Sequence, residues 1–415
     1  MSDSASQPLQ GMSDIGPPEI ALWQHIESTA RSIFPLYGVS ELRTPILERT
    51  KVFSRTIGNE TDIVQKEMYS FNDRGGRNLT MRPEGTAGVV RYLSSLGQEA
   101  GDARVYYIGP MFRAERPQAG RKRQFHQCGV EMIGAANPVA DAECIALQLQ
   151  LLRAWGLSDC RLKVNTRGEA DEAAQVAESL REALQAKRDE LCEDCRRRFD
   201  TNILRVLDCK NEECSSIVDG LPPLTEFMRS DSRKYFDDVV ERLDQLGIEY
   251  EVAPRLVRGL DYYMHTVWEI SHSALGAQDS LSGGGRYSIA VGKKRMEGVG
   301  FAMGLERVIM AMQACGAADR IAAHALRLWL VSMGGVALDR NFILCQKLRQ
   351  AGIACGMDLG ERSMKAQMRA ANRAGADFVL IRGDNEIERG VVVLKEMASG
   401  EQRELEESKV ADELE

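Results

Sequence analysis

Two runs of strand character, Arg104 to Phe112 and Gln124 to Ile133, flank a loop that carries five cations: Arg113, Arg116, Arg121, Lys122 and Arg123. This pairing constrains the fold more than any other feature of the chain. Strands joined by such a loop suggest an antiparallel sheet that presents a functional loop at one end. Phe125, Gln127 and Glu131 recur at even spacing, which places them on one face of the second strand. The plain alternative is a solvated basic loop beside a hairpin, since charge runs usually face water.

The rest of the chain extends this sheet and then departs from it. Apolar residues at Ile20, Leu22, Trp23, Ile26, Ala30 and Ile33 fit one face of a helix that stops at Tyr37-Gly38-Val39. Leu42 to Leu47 reads as a short extended segment. Met68–Phe71, a polar turn and Leu79–Arg82 read as a hairpin. Residues 140–155 read as a helix, and 170–250 as a charged, helical insertion. Strand-like runs return at Leu256–Ile270, followed by Gly283-Gly284-Gly285, and Gly298–Met312 looks like strand then helix. From Arg327 onward, strands at 328–331, 353–357 and 378–381 alternate with helices at 338–350 and 361–374, predicting a small α/β domain with right-handed crossovers. The expected organisation is a catalytic domain over 1–168 and 253–325, a helical insertion over 169–252, and an α/β domain over 326–415. A chain of 415 residues is too long for one ordinary core and supports this division.

Composition narrows the class. With 44% apolar and 27% charged residues the chain reads as soluble and globular. There is no uninterrupted apolar run of roughly 18 residues, and the polar start, expected to be flexible up to Pro17-Pro18, lacks a secretory pattern. The expected location is therefore the cytoplasm, with no membrane partner. A net charge of −8 argues against a general nucleic-acid coat or a DNA partner, although a local basic surface suffices for RNA phosphates.

The segment Phe112 to Gln127 and the segment Gly300-Phe301-Ala302-Met303-Gly304-Leu305-Glu306-Arg307 resemble motifs 2 and 3 of the class II aminoacyl-tRNA synthetases. Leu42-Arg43-Thr44-Pro45-Ile46-Leu47-Glu48 resembles motif 1, which implies a homodimer through the 20–50 region. Leu256-Val257-Arg258-Gly259-Leu260-Asp261-Tyr262-Tyr263, Gly284-Gly285-Arg286-Tyr287 and Arg82-Pro83-Glu84-Gly85-Thr86 resemble the histidine-specific segments of the histidyl-tRNA synthetase family. The resemblance spans nearly the whole chain. It implies an α+β catalytic domain around an antiparallel sheet, a helical insertion and a C-terminal α/β anticodon-binding domain.

The resemblance also assigns roles. The substrates are L-histidine, ATP with Mg²⁺, and histidine tRNA. Arg113 and Arg258 would grip the α-phosphate and the carboxylate from two sides, which suits the planar, permanently charged guanidinium. Arg307 would hold the γ-phosphate, with Arg121 and Arg123 nearby. Phe125 would stack under adenine and Glu115 would read its amine. Glu84, Thr86 and Gln127 would take the α-amine of histidine, while Glu131, Tyr262, Tyr263 and Tyr287 would surround the imidazole. Arg116 and Gln118 would meet the tRNA acceptor end. Arg362, Lys365 and Arg369, at helical spacing, would meet tRNA phosphates or simply face solvent.

Other signals carry less. Cys192-x₂-Cys195-x₁₃-Cys209-x₄-Cys214 has the spacing of a four-thiolate zinc site. The family does not require a metal there, and reduced, partly buried thiols are the simpler reading. Ser282-Gly283-Gly284-Gly285 is not a P-loop, because no Gly-Lys-Ser/Thr follows; it reads as backbone close to a substrate. His126 and His265 read as packed or surface histidines without a proton-transfer role. Ser288 stands where the family usually has Asp. The main rival is a paralogue that kept the fold but lost charging, such as the regulatory subunit of ATP phosphoribosyltransferase, which typically lacks the histidine-specific segment and the anticodon domain.

Overall fold

The structure is a computed structural model that describes residues 7–58, 61–97, 102–276, 278–291, 294–321, 326–360 and 362–414. It divides into two compact units, Met1–Ile321 and Ala322–Glu415.

The first unit begins with α1 (Glu19–Ile33), whose buried face is Leu22, Trp23, Ile26, Ala30 and Ile33. A 3₁₀ turn ends at Gly38, where φ of 66° gives the left-handed conformation that glycine adopts at no steric cost. The segment before α1 is not loose. The Gly11 carbonyl accepts the Arg123 and Gln124 amides (2.7 and 3.2 Å), and Lys122 Nζ donates to Ser13 Oγ (2.7 Å), so residues 10–13 brace the basic loop. Residues 1–6 lie outside the described residues.

Next come β1 (Ser40–Glu41), β2 (Leu47–Arg49), α2 (Thr50–Ile57), β3 (Ser70–Asn72), β4 (Asn78–Met81) and α3 (Thr86–Ser95). The expected hairpin is β3 with β4, and β2 joins it as a third antiparallel strand. The main sheet is completed by β5 (Ala103–Phe112), β6 (Gln124–Ile133), β7 (Cys160–Thr166), β8 (Glu251–Val252), β9 (Tyr263–His272), β10 (Ser280–Val291) and β11 (Lys294–Gly304). Its order is β1-β5-β6-β11-β10-β9-β7-β8. Every pairing from β5 to β7 is antiparallel, and only the two edge strands, β1 on β5 and β8 on β7, run parallel. α4 (Pro138–Ala154) and α1 cover one face with the main apolar core, including Ile26, Leu147, Leu151, Trp155, Trp268 and Phe301. The other face carries the site beside a second apolar cluster that includes Val89 and Val90 of α3 with Tyr107, Met111 and Ile289.

The expected strand over Leu256–Ile270 begins only at Tyr263. Asn165 Nδ2 donates to the carbonyls of Pro254 and Leu256 (3.1 and 3.0 Å) and holds the 254–256 stretch as a loop.

Between β7 and β8 lie α5 (Ala173–Leu184), α6 (Glu193–Thr201), α7 (Glu212–Asp219) and α8 (Ser230–Gln245). The first three pack around a separate apolar cluster that includes Val176, Leu180, Phe199, Val206 and Val218. This stretch stays within the first compact unit. α9 (Leu305–Ala314) follows β11 directly.

The second unit is a five-stranded sheet, β13-β12-β14-β15-β16, built from β12 (Leu328–Ser332), β13 (Cys355–Met357), β14 (Phe378–Arg382), β15 (Val391–Glu396) and β16 (Gln402–Glu406). The first three strands are parallel, as the alternation predicts, with α10 (Gly335–Gln350) and α11 (Met364–Arg373) as crossovers. The closing β15–β16 pair is antiparallel. Among the described residues no helix is long and apolar enough to cross a membrane.

Candidate active site

The open face of the main sheet has a floor of small residues. Cross-strand register puts Gly129 beside Ala302 and Ala302 beside Gly283; one step along, Glu131 pairs with Gly300 and Gly300 with Gly285. Side chains from neighbouring elements fill the room these residues leave. A Cβ on Gly300 would lie 2.2 Å from Glu131 Oε2, one on Gly283 2.0 Å from an Arg258 nitrogen, and one on Gly285 2.7 Å from the Tyr263 ring. The glycine run is therefore a steric clearance for polar side chains lying on the sheet.

A cleft opens above this floor. Its walls are Glu84, Thr86, Arg113, Arg121, Gln127, Glu131, Arg258, Tyr262, Tyr263, Tyr287 and Arg307, with Ser280, Ser282 and the floor residues below. Eleven of the residues singled out in the sequence thus share one hollow. Arg113 follows the end of β5, whereas Arg258 lies on Gly283 of β10. Those strands stand three spacings apart, roughly 14 Å, and both arginines line the one cleft. Arg113 Nε donates to the Pro83 carbonyl (2.9 Å), and its guanidinium sits 5.2 Å from the centre of the Phe125 ring. Arg258 Nη1 donates to Glu269 Oε2 at 3.0 Å. Arg307 is held by the carbonyls of Ser280 and Gln278. Burial, and then the charge of nearby Arg121, hold its pKa below the usual guanidinium range. An anion entering the cleft would relieve that repulsion.

The acidic side is buried. Glu84 accepts the Thr86 and Ala87 amides (2.9 and 2.8 Å) and so also fixes the first turn of α3. Thr86 Oγ1 donates to Glu131 Oε1 at 2.6 Å. Burial pushes the Glu131 carboxyl up to about 8, and it raises Glu84 as well. Among the described residues, two buried polar atoms in these walls have no hydrogen-bond partner, Gln127 Oε1 and Arg258 Nε, while the Glu131 carboxyl and the Tyr287 hydroxyl interact with each other. Buried polar groups are normally paired. Two orphans beside one hollow suit a site that a polar ligand completes.

Other expected residues sit around the cleft rather than in its walls. Phe125 carries Arg113 on its ring. Glu115 faces Arg121 at 3.7 Å, and Arg123 Nε donates to the Glu115 carbonyl at 3.4 Å. Gln118 Oε1 accepts from Gln278 Nε2 at 3.0 Å, and Arg116 is exposed. An open hollow next to the cleft shares Arg121, Arg258, Ser280 and Arg307 with it.

Several site residues were not singled out in the sequence. Glu269 orients Arg258. Its signal, cross-strand pairing with Gly283, is masked by the register shift between Gly285 and Arg286. Ser282 is fixed by Gln148 Nε2 (2.7 Å), and Gln148 in turn accepts from Trp268. Tyr107 fills the space over Gly85 and Gly129. Arg286 of the Gly-Gly-Arg-Tyr run points away from the cleft; it is buried with Asp141 and donates to the Ala135 and Asn137 carbonyls (2.7 and 3.1 Å), tying α4 to β10. Ser288 accepts Arg295 Nε at 2.8 Å. His265 stacks on Tyr235, and burial with the Arg286 charge lowers it to about 4. The cysteines 192, 195, 209 and 214 converge elsewhere, in the insertion.

Comparison with known proteins agrees with this geometry. The family model for histidyl-tRNA synthetase matches residues 11–308, and that for an anticodon binding domain matches residues 331–415. A histidine–tRNA ligase of Halothermothrix orenii is 45% identical over 410 residues, covering 98% of both chains. One of Synechococcus elongatus is 47% identical over 409 residues, covering 97% of this chain and 93% of that one. The structure of apo S. aureus histidyl-tRNA synthetase superposes with a TM-score of 0.81 at 34% identity, covering 98% of this chain and 99% of that one. With a sheet, a polar cleft and a terminal unit that all agree, the chain belongs to the histidyl-tRNA synthetase family.

Proposed function

We propose that the cleft joins L-histidine to ATP and that the same chain then passes histidine to the 3′ end of histidine tRNA. In the first step a carboxylate oxygen of histidine attacks the α-phosphorus. The bond to the bridging oxygen breaks, and pyrophosphate leaves with the electron pair. Two anions must meet while charge builds on the phosphoryl oxygens, so the reaction needs positioning and fixed positive charge. Arg113 and Arg258 supply both from opposite sides. Arg307 takes the γ-phosphate, with Arg121 and Arg123 along the tail of ATP. Mg²⁺ enters as part of the ATP substrate. Adenine stacks on Phe125 beside Arg113, and Glu115 reads its amine.

Glu84, Thr86 and Gln127 receive the α-amine. Glu131, Tyr263 and Tyr287, with Tyr262 behind them, enclose the imidazole. An apolar amino acid would leave these groups unpaired, which costs on the order of 10⁴-fold in discrimination. In the second step the terminal ribose hydroxyl attacks the carbonyl carbon of the adenylate and AMP leaves. A non-bridging phosphate oxygen takes the proton. Arg116 and Gln118 meet the acceptor end, and the 326–415 domain reads the anticodon arm.

The observation that carries this reading is the convergence of Arg113, Arg258 and Arg307 with the buried Glu84, Gln127 and Glu131 on one hollow, where Gln127 Oε1 and Arg258 Nε lack a partner. Histidine-dependent exchange of pyrophosphate into ATP tests it. Exchange with histidine and not with other amino acids is expected; none at all would favour a regulatory paralogue.

A symmetric dimer through the 20–50 region is part of the same proposal. Leu36, Ile46 and Leu47 there, with Phe71 of the adjoining hairpin, are exposed apolar residues that a partner copy would cover. Sedimentation showing only monomer at micromolar protein would reject it. The reading places the chain in the cytoplasm, with its tRNA.

A further inference from the structure

We infer that the insertion holds one structural Zn²⁺ ion through Cys192, Cys195, Cys209 and Cys214. The four Sγ atoms lie within 4.8 Å of one another, and Cys192 and Cys209 are 3.8 Å apart. Zinc bonded to four thiolates at about 2.3 Å in a tetrahedron has its sulfurs about 3.8 Å apart. A disulfide would need about 2.05 Å, and all four cysteines are free. The spacing in the molecule is that of an ion's coordination edge, not of a bond.

The local backbone presents the sulfurs as two knuckles. Cys192 precedes the first residue of α6, and Cys195 lies in its first turn. Cys214 lies in the first turn of α7, where Asn211 Oδ1 accepts its amide at 3.1 Å. The Cys192 amide donates to Cys214 Sγ at 3.1 Å, linking the knuckles directly. Two helix starts therefore converge on the sulfurs.

The energetics of the insertion give the ion a purpose. Its apolar cluster is small, and Cys195 and Cys214 are fully buried members of it. Small cores of this kind are commonly stapled by a metal. The same cluster includes Val257, and Arg255 Nη1 donates to the Ser215 hydroxyl at 2.7 Å. The knuckle thus braces the loop that carries Arg258. Zinc here is a structural tie between the insertion and one wall of the cleft. It takes no part in the reaction.

The test starts with the intact chain, supplied with Zn²⁺, desalted without chelator and analysed by plasma mass spectrometry. One zinc per chain is expected. Cys192→Ser with Cys195→Ser should lose it, whereas Cys345→Ser, at a buried thiol outside the set, should keep it. Should the double variant fail to fold, Co²⁺ in the intact chain gives an independent readout: intense visible bands of a tetrahedral site with thiolate-to-cobalt charge transfer. Each of three results would overturn the inference: no retained zinc, zinc that stays with the folded double variant, or cobalt without thiolate bands.

Discussion

Two buried glutamines show how differently the two units treat polar groups. In the C-terminal unit, Gln367 accepts the Ser332 amide (2.9 Å) and donates to the carbonyls of Ser332 and Arg362 (2.8 and 2.7 Å). It fastens the start of α11 to β12 and has nothing left to offer a ligand. In the main sheet, Gln127 is also buried, yet its Oε1 has no partner among the described residues, and the same holds for Arg258 Nε. Trp329, Asn341 and Arg382 of the C-terminal unit also carry an orphaned atom each, but none of them lines the hollow on α11. An unpaired buried polar group costs about 1–3 kcal/mol. Such atoms gathered around one cleft are a cost that binding recovers; a saturated glutamine is architecture.

The strongest way to break this contrast is to remove an orphan's owner. Arg258→Ala should lower histidine-dependent exchange by about 10²–10³-fold, the usual cost of losing one group aimed at developing charge. Thermal unfolding should stay nearly unchanged, since the side chain's one hydrogen bond is to Glu269 at the cleft wall. Near-normal exchange in that variant would remove Arg258 from the chemistry.

A smaller effect sharpens the contrast through pH. Burial raises Glu131 in the folded chain to about 8 from an ordinary value near 4.5. Between those values the folded chain binds a proton that the unfolded chain has released, so stability falls as pH rises. The contribution is full below about pH 4.5 and is lost through about pH 8. Glu131→Gln should flatten that slope, by on the order of a few kcal/mol across the window. Glu84 shifts the same way, so the measurement is the difference between the two melting-against-pH curves. Parallel curves would show that Glu131 is not the titrating group.

How much of this was legible in the residues follows from which interactions are local. β6 is read to the residue, Gln124–Ile133, because one face alternates, Arg123 marks its start and Gly134 its end. The Gly38 stop of α1 is equally plain. The expected flexibility gives way at residues 10–13, because Gly11 bonds to a loop more than a hundred positions away, which no local pattern reveals. β7, Cys160–Thr166, was passed over: it mixes charged and apolar residues, and its identity comes from pairing with β9. The proposed Arg113–Arg258 clamp is legible only through resemblance. Nothing near Arg258 in the sequence states that Gly283 will clear a place for its guanidinium. Glu269 stayed hidden for the related reason that an irregular strand breaks the even count.

The smallest expected effect tests the saturated side of the comparison. Of the three cations expected to meet tRNA phosphates, Arg362 lies before α11 and is ion-paired with Asp358, so its charge is already spent. Lys365 and Arg369 line a shallow hollow on α11 with Met364, Met368, Asn372 and Arg373. If that face binds the anticodon arm, Lys365→Ala with Arg369→Ala should weaken tRNA binding by about 3- to 10-fold at moderate salt. The dependence of log K on log salt should become shallower by about one to two. Amino-acid-dependent exchange should not change, because it needs only the cleft of the other unit. A filter-binding salt titration beside the exchange assay separates the outcomes. An unchanged slope would show that the face is solvated, and an altered exchange rate would show that the two units do not divide the work as proposed.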